Sequence, residues 1–428
     1  MQALRSLSAG LVDAGFASLA TFGIGVYAAR TLEVGALGVF ALHFAAFTLV
    51  SAISHQGVFI PLEAAASRIQ DPVRFARRSL SLGWIPVVLA PLTLLLPQLA
   101  IPGSVPMAMG VSAAAAVALS PMQDHTRRLL HLLGASWMAA RMSMVQAAAT
   151  AAALFLLHHR IPDTVVPFTA LALANLLSLG TGLVFLAFRP RPAFGPTQGE
   201  TPALKTLFRS GRWLLGAQLS AAAGTFLAAA ALGRFGSMEA LGLADAARIV
   251  GRPVLVVTTG MTAVFGPRLM RAGGTRDPLA GRSVARTYRQ TVTVCVLGYV
   301  ALFGWRHGWN PLAWLVPAAY EVPLLVLATC VVNGLVGGVL PARFEAIGAG
   351  RARALLRVDV LAGLVQVASA GLAGVTQAFT IPLGKAAFAV VRHRGLVTVR
   401  RDIYADPPRV PSGSVLAPPP PRHPAHAR

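Results

Sequence analysis

Nothing restricts this chain more than its apolar runs. Stretches of about twenty residues, nearly free of charge, recur along its 428 residues. At about 1.5 Å per residue, each reaches across a hydrocarbon core about 30 Å thick. They fall at 9–29, 36–61, 80–101, 105–122, 135–157 and 165–188, then at 213–233, 240–265, 290–305, 322–340, 354–374 and 377–391. In lipid such a segment must satisfy its own backbone, so each run is a helix. The expected fold is all-α: a polytopic membrane protein of about twelve transmembrane helices. Composition agrees, because only 12% of residues are charged against about 25% in soluble domains. The first run is too long for a signal-peptide core and reads as a retained helix. Around 311–323 the chain also admits a short re-entrant piece at 312–319, where Trp305, Trp309 and Trp314 suit a membrane interface. Pro86, Pro91 and Pro253 read as tolerated kinks.

The net charge of +22 does not imply nucleic acid, because the basic residues lie between apolar runs rather than in one patch. Arginines such as Arg74, Arg127, Arg212, Arg286 and Arg353 fall in alternate loops, and only Arg30, Arg160, Arg234 and Arg306 fall in the others. That alternation predicts a multi-pass protein of the plasma membrane with both termini cytoplasmic. The segment 402–428 holds eight prolines and reads as a disordered cytoplasmic tail. Cys295 and Cys330 lie inside apolar runs and read as packing residues.

One run is anomalous. The stretch 239–269 carries Asp245, Arg248 and Arg252. For a helix entering near Ala240, Arg248 lies about 12 Å deep and Arg252 about 18 Å deep, on either side of the bilayer middle. Four-residue spacing puts both guanidinium groups on one face. A charge at that depth costs about 2.5–3.5 kcal/mol even on a lenient scale, so it faces an aqueous cavity or a partner. Asp245 can neutralise Arg248 and lock packing; Arg252 has no such partner in its own helix.

The chain also repeats. At an offset of 204 residues, Thr21-Phe22 meets Thr225-Phe226, Arg30 meets Arg234, and Ala36-Leu37-Gly38 meets Ala240-Leu241-Gly242. Six spans per copy give parallel repeats, related by an axis along the membrane normal. The expected organisation is a six-helix lobe at 1–198 and a second at 199–401, around a central cavity. Substrate sites in such bundles lie at the repeat interface near mid-membrane, where depth alone placed Arg248 and Arg252.

The segment 29–40, Ala-Arg-Thr-Leu-Glu-Val-Gly-Ala-Leu-Gly-Val-Phe, resembles the first-hairpin signature of the polysaccharide-transport, or oligosaccharide flippase, branch of the multidrug/oligosaccharidyl-lipid/polysaccharide (MOP) exporter superfamily. The segment 120–128, Ser-Pro-Met-Gln-Asp-His-Thr-Arg-Arg, is similar to that branch's fourth-span end. The resemblance implies two six-helix lobes, alternating access and export of a lipid-linked glycan. It also implies basic residues facing the substrate's phosphates, a role that Arg248 and Arg252 fit by position.

Other polar residues admit plainer readings. His43, in the repeat counterpart of the anomalous run, is a candidate substrate contact, or a hydrogen-bonded packing residue. Asp13 and Asp245 are candidate ion-coupling carboxylates; Asp13 could instead pair with Arg5 or reach Arg248 or Arg252 across the lobes. Asp359 and Lys385 read as snorkelling ends, and Asn175, Gln218 and Asn333 as interhelical hydrogen bonds. His158-His159 lacks further metal ligands, and Gly384-Lys385 lacks the rest of a phosphate-binding loop. No enzyme chemistry, metal or cofactor is expected. The expected function is flipping of a lipid-linked oligosaccharide, or similar anionic glycolipid, to the outer leaflet for polysaccharide export. The expected partners are the bilayer and glycan polymerases or glycosyltransferases. The alternatives are a cation-coupled multidrug antiporter of the same superfamily, which predicts an acidic cavity, and a non-transporting scaffold for glycan synthesis.

Overall fold

Among the described residues of the computed structural model twelve helical rods follow one another, and no strand occurs. The described residues are 2–66, 75, 77, 79–103, 106–188, 203–304, 315–320 and 322–405. The tryptophans at 305, 309 and 314, the expected lobe boundary at 198/199 and the tail beyond 405 lie outside them.

In the first half run α1 (Gln2–Thr31), α2 (Val34–Ser54), α3 (Trp84–Leu89 and Leu92–Ala100), α4 (Met107–Leu132), α5 (Ser136–Leu157) and α6 (Val166–Ala187). The second half has α7 (Leu204–Phe235), α8 (Met238–Val250 and Arg252–Thr275), α9 (Pro278–Gly304), α10 (Pro323–Gly338 and Leu340–Gly348), α11 (Ala352–Ser369) and α12 (Thr380–Ala405). Among the described residues eight runs are long and apolar enough to cross a membrane, or nine if Arg252–Thr262 and Phe265–Thr275 of α8, bent by 51° between them, form one; one of the eight, Ala352–Ala405, holds both α11 and α12. α2 continues through a π-helical turn, His55–Phe59, into Ile60–Ala66. Pro91, which has no N–H to donate, divides α3.

Several expected boundaries move, among them the start of the ninth run, which begins at Pro278 rather than 290, and the end of the fourth, which reaches Leu132 rather than 122; two others shape the site. The eighth run, expected as one helix over 240–265, breaks at Gly251. The last, expected to end at 391, stays helical to Ala405. Its basic extension is held by Arg400, whose guanidinium lies 2.6 Å from the buried Glu345 carboxylate of α10.

Within the first lobe α1 packs on α5, and α4 on α6 and α2; within the second, α7 packs on α11, α11 on α12, and the second half of α8 on α9 and α10. The lobes meet where α2 lies against α7 and the first half of α8. That contact is reciprocal. A Cβ added to Gly38 would stand 2.1 Å from the Met238 carbonyl oxygen, and one added to Gly242 would stand 2.0 Å from that of Val34. Gly38 and Gly242, like Val34 and Met238, are the 204-residue repeat partners, so the pseudo-twofold axis passes between these backbones. Self-complementary contact of this kind is what a twofold interface requires, and only a residue without a Cβ permits it. The Tyr320 hydroxyl donates to the Leu32 carbonyl (2.7 Å), tying the lobes at the same end. The space between the lobes lies on the other side of this crossing, toward the termini.

Gly38→Val and Gly242→Val are each expected to destabilise the protein by about 1–3 kcal/mol through overpacking. Because one crossing absorbs both, the double variant should lose much less than the sum. Thermal unfolding in detergent measures this; strictly additive losses would show that the two glycines do not share a contact.

Candidate functional site

The break in α8 builds the site. Gly251 ends one helical half, and Arg252 begins the next with Pro253 in its first turn, where a missing N–H leaves no bond unmade. Carbonyls freed at the break still find donors: the Tyr299 hydroxyl of α9 reaches Val250 (2.5 Å), and the Asn333 amide of α10 reaches Gly251 (3.0 Å). Broken helices at membrane depth survive only where neighbours supply such partners. Arg248 therefore sits in the last turn of one helix and Arg252 at the first position of the next.

These two positions differ electrostatically. Arg248 lies where the helix dipole favours a cation, and its Nε donates to Asp245 (2.5 Å), which is 4% exposed. Arg252 lies at a helix N-terminus, where the dipole disfavours it. It donates to the Thr21 hydroxyl (2.6 Å) and carbonyl (3.1 Å) of α1, both uncharged. Despite the break, the two guanidinium carbons stand 4.7 and 5.9 Å from the centre of one ring, Phe44 of α2. Sequence spacing put them on one face, and the cation–π contacts keep them there.

They line a cavity of about 550 Å³ between the lobes. Arg343 of α10 and Lys385 and Arg392 of α12 line it as well, with Gln218, Asn333 and Gln366. Arg392 is paired with Asp359 at 2.7 Å, both buried. The buried Nε of Arg343 has no hydrogen-bond partner, and Lys385 has no ion pair among the described residues. Asp245 is the carboxylate on this wall and Asp359 stands behind it, so five cations face two anions. Unit charges a few ångströms apart in a low-dielectric surround interact by kilocalories, so the chamber holds a standing attraction for anions.

A second chamber, about 790 Å³, adjoins the first and shares Ser18, Thr48 and Gln218 with it. Asp13 lies here rather than beside Arg248 or Arg252. Its carboxylate accepts from His131 (2.8 Å), Arg127 (3.3 Å) and Ser143 (2.5 Å), all in its own lobe. Arg127 also pairs with Asp124, and Arg128 with Glu63 (3.7 Å). The segment 120–128 is thus a packed polar cluster, in which Asn175 receives Gln146 (2.7 Å) and donates to Ser120 (2.6 Å).

His43 is not at the cavity. It is fully buried in the first lobe, with Nδ1 3.0 Å from the Val39 carbonyl and its ring edge-on to Phe168. A helix turns about 100° per residue, so facing Phe44 into the cavity turns His43 away. Of the five residues singled out in the sequence, Arg248, Arg252 and Asp245 come together, Asp13 lies in the adjoining chamber, and His43 lies in neither.

No protein-family model matches the sequence, and no curated protein matches it. Solved structures do match. An inward-facing multidrug resistance MATE family transporter of the MOP superfamily superposes with a TM-score of 0.70 at 16% identity, over 91% of this chain and 95% of that one. An outward-facing MATE transporter gives 0.63 at 15% identity, over 94% and 96%. A MOP superfamily transporter from Pyrococcus furiosus, whose reversed pocket polarity suggests a different function, gives 0.66 at 16% identity, over 94% and 96%. The fold is that of the MATE transporters of the MOP superfamily. Its two lobes fit the superfamily resemblance read from the sequence, and leave the flippase branch undistinguished from the multidrug one.

In this MATE fold the cavity also holds Arg343, Arg392 and Lys385, of which Lys385 reads in the sequence as a snorkelling end. Lys385 lay near an apparent helix end only because the last run was closed at 391; in α12 it is an interior residue. The signal available was Asp359, an acid seven residues into α11 with no partner in its own segment.

Asp359→Ala is expected to destabilise the protein by about 3–5 kcal/mol, because it strands the buried Arg392. Asp359→Leu with Arg392→Leu should recover most of that loss. Thermal or denaturant unfolding of the three proteins checks it; a mild single variant, or a double variant as damaged as the single, would contradict it.

Proposed function

We propose that this chain flips an anionic amphiphile, a lipid-linked oligosaccharide or similar glycolipid, from the cytoplasmic to the outer leaflet by alternating access. One observation carries the reading: a cavity between two lobes in which cations outnumber carboxylates, with Arg343 and Lys385 in no ion pair among the described residues. A phosphate or pyrophosphate head supplies the missing anion. Arginine suits it, since a planar fork takes two phosphate oxygens at once. Arg248 and Arg252 hold the head beside Phe44, Lys385 and Arg343 stand as further charges, and the lipid tail stays in the bilayer between the lobes. The lobes then rock about the site. With both termini cytoplasmic, the Gly38–Gly242 crossing closes the outer end. Coupling to an ion gradient would run through Asp13 or Asp245, the buried carboxylates lining the two chambers. In this reading the enzymes that build or polymerise the glycan act on either side of the step.

A multidrug antiporter shares the fold and is the second reading. It calls for a cavity that attracts cations, and the central chamber has the opposite polarity. The carboxylates of the second chamber, Asp13 and Asp124, are each paired with arginine.

In proteoliposomes, a labelled polyprenyl-pyrophosphate glycan should exchange leaflets with the wild-type protein. Arg248→Ala with Arg252→Ala should slow that exchange by about 100-fold or more, as two charged contacts of about 1.5–3 kcal/mol each imply. Unchanged exchange in the double variant, or export of lipophilic cations in place of the glycolipid, would overturn the proposal.

A further inference from the structure

On the outside of the second lobe, away from both chambers, α9, α10 and α12 enclose a groove of about 490 Å³. Its walls are apolar: Val296 and Leu297 of α9 and Leu335 of α10 line it, and Leu297 and Leu335 are 62% and 50% exposed. At its inner end the helices close, since a Cβ on Gly334 would stand 3.0 Å from the Val296 side chain. Along its wall they do not: a Cβ on Gly338 would meet nothing within 4 Å. One end of the groove is basic, carrying Arg289, His393 and Arg394. Through Arg289 and Thr293 it runs on into a shallow pocket of about 450 Å³ that adds Arg282, Arg286 and Arg400.

We infer that this groove binds one anionic phospholipid, with an acyl chain against Val296, Leu297 and Gly338 and the phosphate among the arginines. Charge complementarity selects the occupant. Arg282, Arg286 and Arg394 have no ion pair among the described residues, and Arg282, Arg286 and Arg289 share one face of α9 at helical spacing. Topology accounts for arginines at this end of a helix. It does not account for an open apolar slot leading away from them. Basic pockets between transmembrane helices recognise anionic headgroups in this way, and the slot requires that the head carry a chain. A zwitterionic lipid satisfies the slot and not the arginines; a free phosphate satisfies the arginines and not the slot.

Two variants separate these contributions without touching the central cavity. Gly338→Leu fills the slot in open space, and Arg289→Ala with Arg394→Ala removes the head contacts. The full-length protein, purified in mild detergent, is titrated with phosphatidylglycerol and with phosphatidylcholine and read by native mass spectrometry. Wild type should bind one phosphatidylglycerol about 10-fold more tightly than phosphatidylcholine. Gly338→Leu should lower phosphatidylglycerol binding at least about 5-fold at unchanged detergent-state Tm, and the arginine pair should erase the preference over phosphatidylcholine. Equal binding of the two lipids by wild type would overturn the inference. So would a loss in the arginine variant with none in Gly338→Leu, which would mark a surface phosphate contact, or displacement of the lipid by millimolar inorganic phosphate.

Discussion

Charge removed from water must find either a partner or a cavity, and most of this structure follows from how the chain meets that requirement. Moving a guanidinium into a low-dielectric interior is costly enough that an unpaired one does not persist against lipid. The protein pairs where it can: Arg392 with Asp359, Arg400 with Glu345, Arg127 with Asp13 and Asp124. With 15 acidic residues against 37 lysines and arginines, pairing runs out. Of the cations left without a carboxylate, Arg252, Arg343 and Lys385 line the space between the lobes, and others such as Arg282, Arg286 and Arg394 lie on the outside of the second lobe. The hollow and the surplus of positive charge are therefore linked, because each makes the other tolerable.

Helix breaks and glycine contacts serve the same end. A straight α8 would carry Arg248 and Arg252 on one unbroken spiral. The break at Gly251 instead puts one at a helix end that welcomes a cation and the other at one that resists it. Resistance at Arg252 is offset by neutral groups, the Thr21 hydroxyl and carbonyl, and its charge stays available to an anion. The reciprocal glycine crossing holds the lobes in contact at one end, which leaves the chambers to form on the other side. Two internal copies of one helical pattern thus generate both the contact and the space.

How much of this was legible in the sequence depended on whether the signal was local. Helix number, lobe organisation and the anomalous arginines follow from apolar run length and from charges inside runs, and a bilayer makes those signals strong. The repeat was readable at Gly38 and Gly242, and the structure gives that match its physical meaning. Side-chain direction was less accessible. His43 and Phe44 are adjacent, and only packing decides that the phenylalanine, not the histidine, faces the cavity. Lys385 and Arg392 are hidden by a boundary: the last apolar run closes at 391, whereas contacts with α10 and α11 keep the helix intact to Ala405. Partners of Asp13 lie more than a hundred residues away on α4 and α5, a distance at which spacing carries no information.

The polarity of the central chamber is what separates an exporter of anionic glycolipids from one of cationic drugs on the same fold. The most direct test is a paired binding measurement on the purified protein, comparing polyprenyl pyrophosphate, its uncharged polyprenol and a lipophilic cation such as ethidium. The pyrophosphate should bind at least about 100-fold more tightly than the polyprenol, as about 2.7 kcal/mol of head recognition implies, and its affinity should fall with added salt. Preferential binding of the lipophilic cation, or equal binding of the charged and uncharged polyprenols, would contradict the assignment of the chamber to an anionic head.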